Sequence, residues 1–366
     1  MEIIGLIQTA LELGLISALT VLALFLSYTM LNVCDLSTDG CFTLGAVVGA
    51  VVAISGHPYL SIPAAMGAGV CSGFVTAFLQ TKMGINSLLA GIIVNTGLYS
   101  VNIALMGNAS LLNMNKTDTI FTKMKGLCEG TFLSGQYRTV IALIFVVLVI
   151  VFLVLFLQTR LGLAIRATGD NPDMVRASSI NPAFTTIVGL CISNSFTGLS
   201  GCLLAQSRKS VNIDIGQGMV TIALASLLIG RAFLGRGRIG TRAVGAVAGA
   251  FVFRLVYTIA LRFNLPAYML RLVSAVIVII AIAGPYFKSR IPLLKRKYQH
   301  RAGAGGMSSQ SVRPEQYASE TKGGKKTEAE EKETDSVPGS PTAEAAKTSS
   351  EDIESTHRTA LCEEVD

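Results

Sequence analysis

TVIALIFVVLVIVFLVLFLQ, residues 139–158, is followed at once by TRLGLAIRATGDNPDMVRASSINP, residues 159–182. The first stretch has no charged residue across 20 positions, and an α-helix of that length crosses the hydrocarbon core of a bilayer. The second stretch is polar and carries three arginines, so the chain leaves the membrane there. A spanning helix next to a polar connection predicts an all-α polytopic membrane protein.

Outward from this pair, about nine stretches are apolar enough to be membrane helices. The second of them is short, and it is either a half-helix or a strongly tilted one. Small residues four apart at 45–49, 69–73 and 245–249 predict close contacts between helices. The nine stretches are residues 6–30, 42–56, 60–81, 85–106, 139–158, 183–205, 217–234, 243–262 and 268–287.

The charges divide the chain into two parts. Only 14% of the 366 residues are charged, against about 25% in a soluble domain. Residues 1–300 carry 22 Lys and Arg against 9 Asp and Glu, whereas residues 301–366 carry 8 against 14. We expect 1–300 to be a transmembrane domain and 301–366 to be a disordered cytoplasmic tail, because the tail is too polar to pack. The basic charge is typical of membrane topology signals and does not indicate nucleic-acid binding.

Lys and Arg concentrate in the connections on one side of the predicted spans. If residues 159–182 face the cytoplasm, that side holds 13 of these cations and the opposite side holds seven. Cytoplasmic connections are the ones enriched in Lys and Arg. The distribution therefore predicts an N-terminus outside, a C-terminus in the cytoplasm and an odd number of spans in the cell membrane.

Residues 159–182 have the pattern of two short helices. LGLAIRAT is expected to end at Gly169, a residue suited to the left-handed position after a helix. Asn171 then suits an N-cap, with Pro172 and Asp173 in the first turn of a helix through MVRASSI. Asn181-Pro182 repeats this start signal for the next span. Such a pair of helices either docks a soluble partner or is a basic loop without a partner.

Three blocks in order resemble one family. They are SYTMLNVCDLSTDGCFTLGAVVGA (27–50), INSLLAGIIVNTGLYSVNIALMG (85–107), and residues 159–182 with FTTIVGLCISNSFTGLSGCLLAQ after them. The chain resembles the ABC-transporter permeases of the branched-chain amino acid permease superfamily over about residues 10–290. Within it, the chain is most similar to the subgroup linked to tryptophan/tyrosine-type binding proteins. The tail lies outside the resemblance.

The resemblance implies an ATP-driven importer of a small polar solute of the amino acid class, with its ATPase on a separate chain. No G-x-x-x-x-G-K-[ST] motif occurs, and GRGRIG (235–240) lacks the strand that a nucleotide-binding loop needs. The implied partners are an ABC ATPase, an extracytoplasmic binding protein at the 107–138 loop, and a second permease copy. Coupling to the ATPase falls on Arg160, Gly162, Ala164, Arg166, Ala167, Gly169, Asp170, Asn171, Arg176 and Ala177.

Uncharged polar side chains inside the spans are candidates for the translocation path. Asn95 and Asn102 are seven residues apart and so share a helix face. Hydrogen-bonding groups without charge suit a polar solute that must be released again, although hydrogen bonds between helices are the alternative role. The candidate residues are Ser87, Asn95, Thr96, Asn102, Ser193 and Asn194.

Other chemistries have little support in the sequence. Its three His lie outside the spans, and its seven Cys form no zinc pattern, so we predict no metal, no cofactor and no enzyme. Arg254 is a deep charge expected to pair with a backbone carbonyl or an Asp. Asp35 and Asp39, placed at the inner end of span one, are caps or a gate. A secondary transporter or channel is the alternative and requires a buried acidic or basic group for ion coupling; a membrane enzyme requires a polar cluster.

Overall fold

The computed structural model describes residues 2–128, 136–234, 237–262, 272 and 275–279. The predicted tail, 301–366, lies outside the described residues. The helices are α1 Glu2–Leu24, α2 Thr38–Ile54, α3 Ser61–Lys82, α4 Ser87–Leu105, α5 Ile120–Cys128, α6 Tyr137–Gln158, α7 Arg160–Asp170, α8 Pro172–Ala177, α9 Pro182–Arg208, α10 Met219–Leu234 and α11 Ile239–Arg262, and the strands are β1 Leu111–Asn113 and β2 Ser210–Asn212.

The all-α polytopic architecture is confirmed, but the count of nine spans is not. Among the described residues, six helices are long and apolar enough to cross a membrane. Two further predicted spans form the shorter helices α2 and α10, of 17 and 16 residues, or about 25 Å each at 1.5 Å per residue. Most of the ninth stretch, 268–287, lies outside the described residues. The six long helices are Ile7–Met30, Ser61–Lys82, Ser87–Leu105, Tyr137–Gln158, Pro182–Arg208 and Ile239–Ala260.

Helix α9 is the centre of the bundle. It packs against α1, α2 and α3, and 78% of its most apolar stretch is buried, against 33% for α6. The outward side chains of α6 are large and apolar, such as Leu148 and Leu155, which are 59% and 61% exposed. A broad apolar surface of this kind is typical of a face that contacts lipid.

Small residues bring α9 and its neighbours together, as the four-residue spacing predicted. At Gly45 of α2, a β-carbon would overlap the backbone of Gly198 in α9. Gly73 of α3 lies in the same way against the Leu190 carbonyl oxygen, 2.6 Å from the position of a β-carbon. Helices that approach this closely gain dispersion contacts that lipid would otherwise supply.

Arg254 is buried between α11, α1 and α10, with 6% of its surface exposed. Its Nε donates to the hydroxyl of Ser17 at 3.2 Å, and the guanidinium lies 5.9 Å from the ring centroid of Tyr257. Among the described residues, the partners of Arg254 are a hydroxyl, the Met219 sulfur and an aromatic face, and not the predicted backbone carbonyl or Asp. Ser17 is 237 positions away and leaves no signal in the sequence, whereas Tyr257 is three residues after Arg254 and so shares its helix face.

A two-stranded sheet covers one end of the bundle. Strand β1, which follows α4, pairs antiparallel with β2, which follows α9, with Leu112 opposite Val211. The end where α4 and α9 finish is therefore the same end of the molecule.

Candidate functional site

Helix α2 begins about halfway along the length of α9, after a stretch of chain that is not helical. Helix α1 continues through a π-helical turn, Phe25–Met30, and residues 31–37 are irregular. The thiol of Cys41, in the first turns of α2, donates to the backbone carbonyl of Asn194 at 3.4 Å. Asn194 is near the middle of the 27-residue α9, so α2 starts at about half the depth of the bundle.

The carboxylate of Asp39 joins the beginnings of two helices. Asp39 lies in the first turn of α2. Its two oxygens accept from the backbone N–H groups of Gly218 (3.0 Å) and Val220 (2.8 Å), at the start of α10. An anion at a helix N-terminus satisfies free N–H groups and interacts favourably with the helix dipole. The N-terminal ends of the two short helices therefore meet inside the bundle.

A cavity of about 300 Å³ lies beside this junction. Among the described residues that line it, Asp39 carries the one charge and most of the others are amides or hydroxyls. Asn102 is 1% exposed, and its Nδ2 donates to the carbonyl of Gly40 at 3.3 Å. Its Oδ1 has no hydrogen-bond partner among the described residues. The lining consists of Asp39, Gly40, Thr43, Asn95, Thr96, Tyr99, Asn102, Ile213 and Gln217.

Three of the six predicted path residues, Asn95, Thr96 and Asn102, line the cavity. Ser87 is instead the first residue of α4. The hydroxyl of Ser193 donates to the Ala23 carbonyl at 2.7 Å, and so joins α9 to α1.

Asn194, the last of the six predicted path residues, lies away from the cavity and donates a hydrogen bond to a carboxylate. Its Nδ2 donates to Asp35 Oδ2 at 2.8 Å. Asp35 Oδ1 accepts from the N–H and the hydroxyl of Ser37, at 2.8 and 2.6 Å. Asp35 is 1% exposed and holds Ser37, the residue that precedes α2, from within the bundle. The predicted placement of Asp35 at the inner end of span one is wrong, because Asp35 lies inside the bundle beside the middle of α9.

Sequence reasoning missed several cavity residues. Tyr99 is four residues after Asn95 and so shares its helix face, a signal that was available. The sequence predicts Asp39 to be a cap or a gate, and nothing in it identifies α10 as the helix whose first N–H groups Asp39 binds. The sequence does not identify Thr43 and Gln217 as cavity residues, because the residues around them would look the same at a contact between helices.

The predicted coupling residues form a surface segment whose inner face packs on the bundle. The hydroxyls of Thr168 in α7 and Thr185 in α9 are 2.8 Å apart. Of the ten predicted residues, Gly162 is buried and Ala164, Arg166 and Gly169 are half-buried. The exposed ones are Arg160, Ala167, Asp170, Asn171, Arg176 and Ala177.

The caps of this segment are largely as predicted. The Asn171 side chain accepts from the N–H groups of Asp173 and Met174, with Pro172 at the start of α8, and Asn181 caps α9. The left-handed end at Gly169 is wrong, because α7 continues to Asp170.

Gly169 is needed for space. A β-carbon there would overlap the carbonyl oxygen of Met30, so α7 lies directly on the end of the π-helical turn. Packing between distant parts of the chain therefore accounts for this glycine, and a local turn does not.

Comparisons with known proteins agree with one another. The permease component of branched-chain amino acid transport systems matches residues 6–282. The chain is 30% identical over 271 residues to a tyrosine transport system permease protein of Clostridioides difficile (strain R20291), covering 74% of this chain and 88% of that protein. It is 26% identical over 254 residues to a ribose import permease of Escherichia coli (strain K12), covering 68% and 75%.

A fructose import permease of Bifidobacterium longum (strain NCC 2705) is 25% identical over 281 residues, covering 72% of this chain and 76% of that protein. No solved structure matches the chain.

Proposed function

The chain belongs to the family of permease components of branched-chain amino acid transport systems, and we propose that it moves an amino acid through the cavity beside Asp39. As a member of this family it is a multi-pass membrane protein and a transport subunit of an ABC importer, and it is not itself an enzyme. One observation carries the proposal: polar side chains line a cavity at the meeting point of two short helices within the bundle.

The lining of the cavity supports a solute with a positively charged or hydrogen-donating group. Asp39 supplies negative charge, and the amides and hydroxyls of the lining supply acceptor oxygens. No cationic side chain is among the described residues that line it, so an anionic solute has no counter-charge. An ammonium group fits these acceptors. Sugars, which two of the relatives import, would use the amides and hydroxyls but not the charge.

A second copy of the chain completes the path in this proposal. Thr96 and Tyr99 line the cavity from α4 and are exposed. Only 22% of the most apolar stretch of α4 is buried, although this helix carries the polar lining. A solute needs a path shielded from lipid, because polar groups are costly in hydrocarbon. A second copy packed on this side of α4 supplies that shield.

The remaining partners follow from the two ends of the bundle. Helices α7 and α8 expose Arg176 and Ala177, and we assign them to the cytoplasmic face, where an ABC ATPase docks. The sheet of β1 and β2 is assigned to the outer face, where the binding protein docks at the predicted 107–138 loop, of which residues 129–135 lie outside the described residues. This arrangement has the N-terminus outside and the C-terminus in the cytoplasm. In this proposal residues 1–300 form the membrane domain and residues 301–366 form the tail.

Crosslinking tests the docking of the ATPase. We expect Ala177→Cys to form a crosslink with the ATPase in the assembled complex, because Ala177 is exposed at the end of α8. Ser55→Cys, exposed at the end of α2 toward the opposite face, is the matched control and should give none. An active complex in which Ala177→Cys never crosslinks contradicts the assignment of α7 and α8.

A secondary transporter is the second candidate, because the buried Asp35 is the kind of group that couples transport to an ion gradient. The contacts of Asp35 favour a structural role. Three donors satisfy its carboxylate at the start of α2, where the helix dipole also stabilises an anion. Transport that runs on an ion gradient without ATP would establish this alternative.

A further inference from the structure

Residues 31–40 run from the coupling segment to the cavity. At their first end, the backbone of Met30 and Leu31 lies against Gly169 of α7 and leaves no space for a β-carbon. Leu31 also contacts α9, where its Cδ2 is 3.2 Å from the position of a β-carbon on Gly189. A movement of α7 toward the bundle is therefore transmitted to this end of the segment, because close-packed atoms have no free volume to absorb it.

The middle of the segment is held by two helices. Asp35 accepts from Asn194 of α9. The backbone N of Leu36 is 2.7 Å from the position of a β-carbon on Gly91 of α4. Residues 31–37 of the segment are irregular, and Asn32 has a left-handed backbone with φ of 57°. The contacts of Asp35 and Leu36 keep this part from moving independently of its surroundings.

The far end of the segment reaches α10 through a side chain. Asp39 binds the N–H groups of Gly218 and Val220, and hydrogen bonds to a charged acceptor are stronger than bonds between neutral groups. Next to it, a β-carbon on Gly40 would lie 2.7 Å from Asn95 Oδ1 in the cavity wall. A shift of this end therefore moves α10 and the cavity wall together.

We propose that residues 31–40 carry movement from α7 to the cavity, and that Asp39 is the positioning residue that makes α10 follow α2. This rests on the proposed function, since α7 is taken to contact the ATPase. This role of Asp39 adds to the negative charge that it supplies at the cavity, because each of its carboxylate oxygens accepts one backbone N–H group and keeps a further lone pair.

The experiment measures movement at the cavity without any solute. Thr96→Cys places a thiol on the cavity wall of the complex with its ATPase, and its reaction rate with a hydrophilic maleimide is measured with and without ATP. With Asp39 intact, ATP should change the rate by about tenfold, the size of a typical coupling between sites. Asp39→Asn should remove the change, because an amide offers one acceptor oxygen to two N–H groups. Asp39→Glu should restore part of it, and Asp118→Asn, at an exposed site, should leave it intact.

A second variant tests the other end and leaves Asp39 in place. Gly169→Ala puts a β-carbon against Met30 and should also reduce the ATP-dependent change while the ATPase remains bound. Its control, Gly67→Ala, adds the same group where no atom lies within 4 Å. This variant decides the question if Asp39→Asn does not fold.

The outcomes separate this inference from the proposed function. A full ATP-dependent change in Asp39→Asn shows that Asp39 does not link α2 to α10, and overturns the proposal. A full ATP-dependent change in Gly169→Ala with the ATPase bound also overturns it, because the contact of α7 with Met30 then carries no movement to the cavity. If the unmodified chain binds no ATPase, the proposed function itself fails, and this is seen before any variant is made.

Discussion

Gly45 shows how one residue sets the distance between two helices. Its α-carbon lies so close to α9 that any side chain would overlap the backbone of Gly198. Overfilling a packed interior costs about 1–3 kcal/mol. We therefore expect Gly45→Leu to reduce the yield of folded protein, measured by size-exclusion chromatography in detergent. The control, Gly67→Leu, makes the same change in α3, where no neighbouring atom lies within 4 Å of a β-carbon. An equal loss of folded protein in both variants would contradict the close packing at Gly45.

Residue-level signals predicted local structure better than tertiary contacts. The caps at Asn171 and Asn181 were predictable, because capping depends on neighbouring N–H groups. Gly169 was misread, because the same glycine suits a helix end and a close contact, and only the position of Met30 distinguishes the two roles. The burial of Asp35 was missed for a similar reason, since its donor Asn194 is 159 residues away.

At the scale of elements, α2 and α10 differ from the other spans by where they begin. Hydropathy marked 42–56 as short, but it gave 217–234 an ordinary length. Hydropathy reports how apolar a stretch is and says nothing of its depth relative to a neighbour. The meeting of the two helices at Asp39 therefore could not be predicted without the fold. Three cavity residues of α4 could be predicted, because they share one helix.

The cavity and the lipid-facing surface differ in what surrounds them. Thr96 on α4 and Leu155 on α6 are both exposed, but only Thr96 lines the polar cavity. We expect Thr96→Cys to react with a hydrophilic maleimide in membranes, and Leu155→Cys to stay unreactive because water is scarce in hydrocarbon. The unmodified chain measures the background from its own cysteines. Equal reactivity at both positions would show that the cavity is not aqueous.

At the scale of the whole molecule, the membrane domain should work without the acidic tail. Residues 301–366 carry 14 Asp and Glu and few apolar residues, a composition that does not bury enough surface to fold. Deleting them should leave membrane insertion and uptake unchanged, measured as uptake per folded molecule in proteoliposomes. Normal insertion with complete loss of uptake would give the tail a direct part in transport.

The energy source of transport tests the central claim most directly. The measurement is uptake of labelled L-tyrosine, with labelled D-ribose in parallel, into proteoliposomes that hold the chain with its ATPase and binding protein. The importer account predicts that uptake requires ATP and continues when proton and sodium gradients are collapsed. Uptake of either solute that runs on an ion gradient without ATP, and that Asp35→Asn abolishes, would contradict the account and make the chain a secondary transporter.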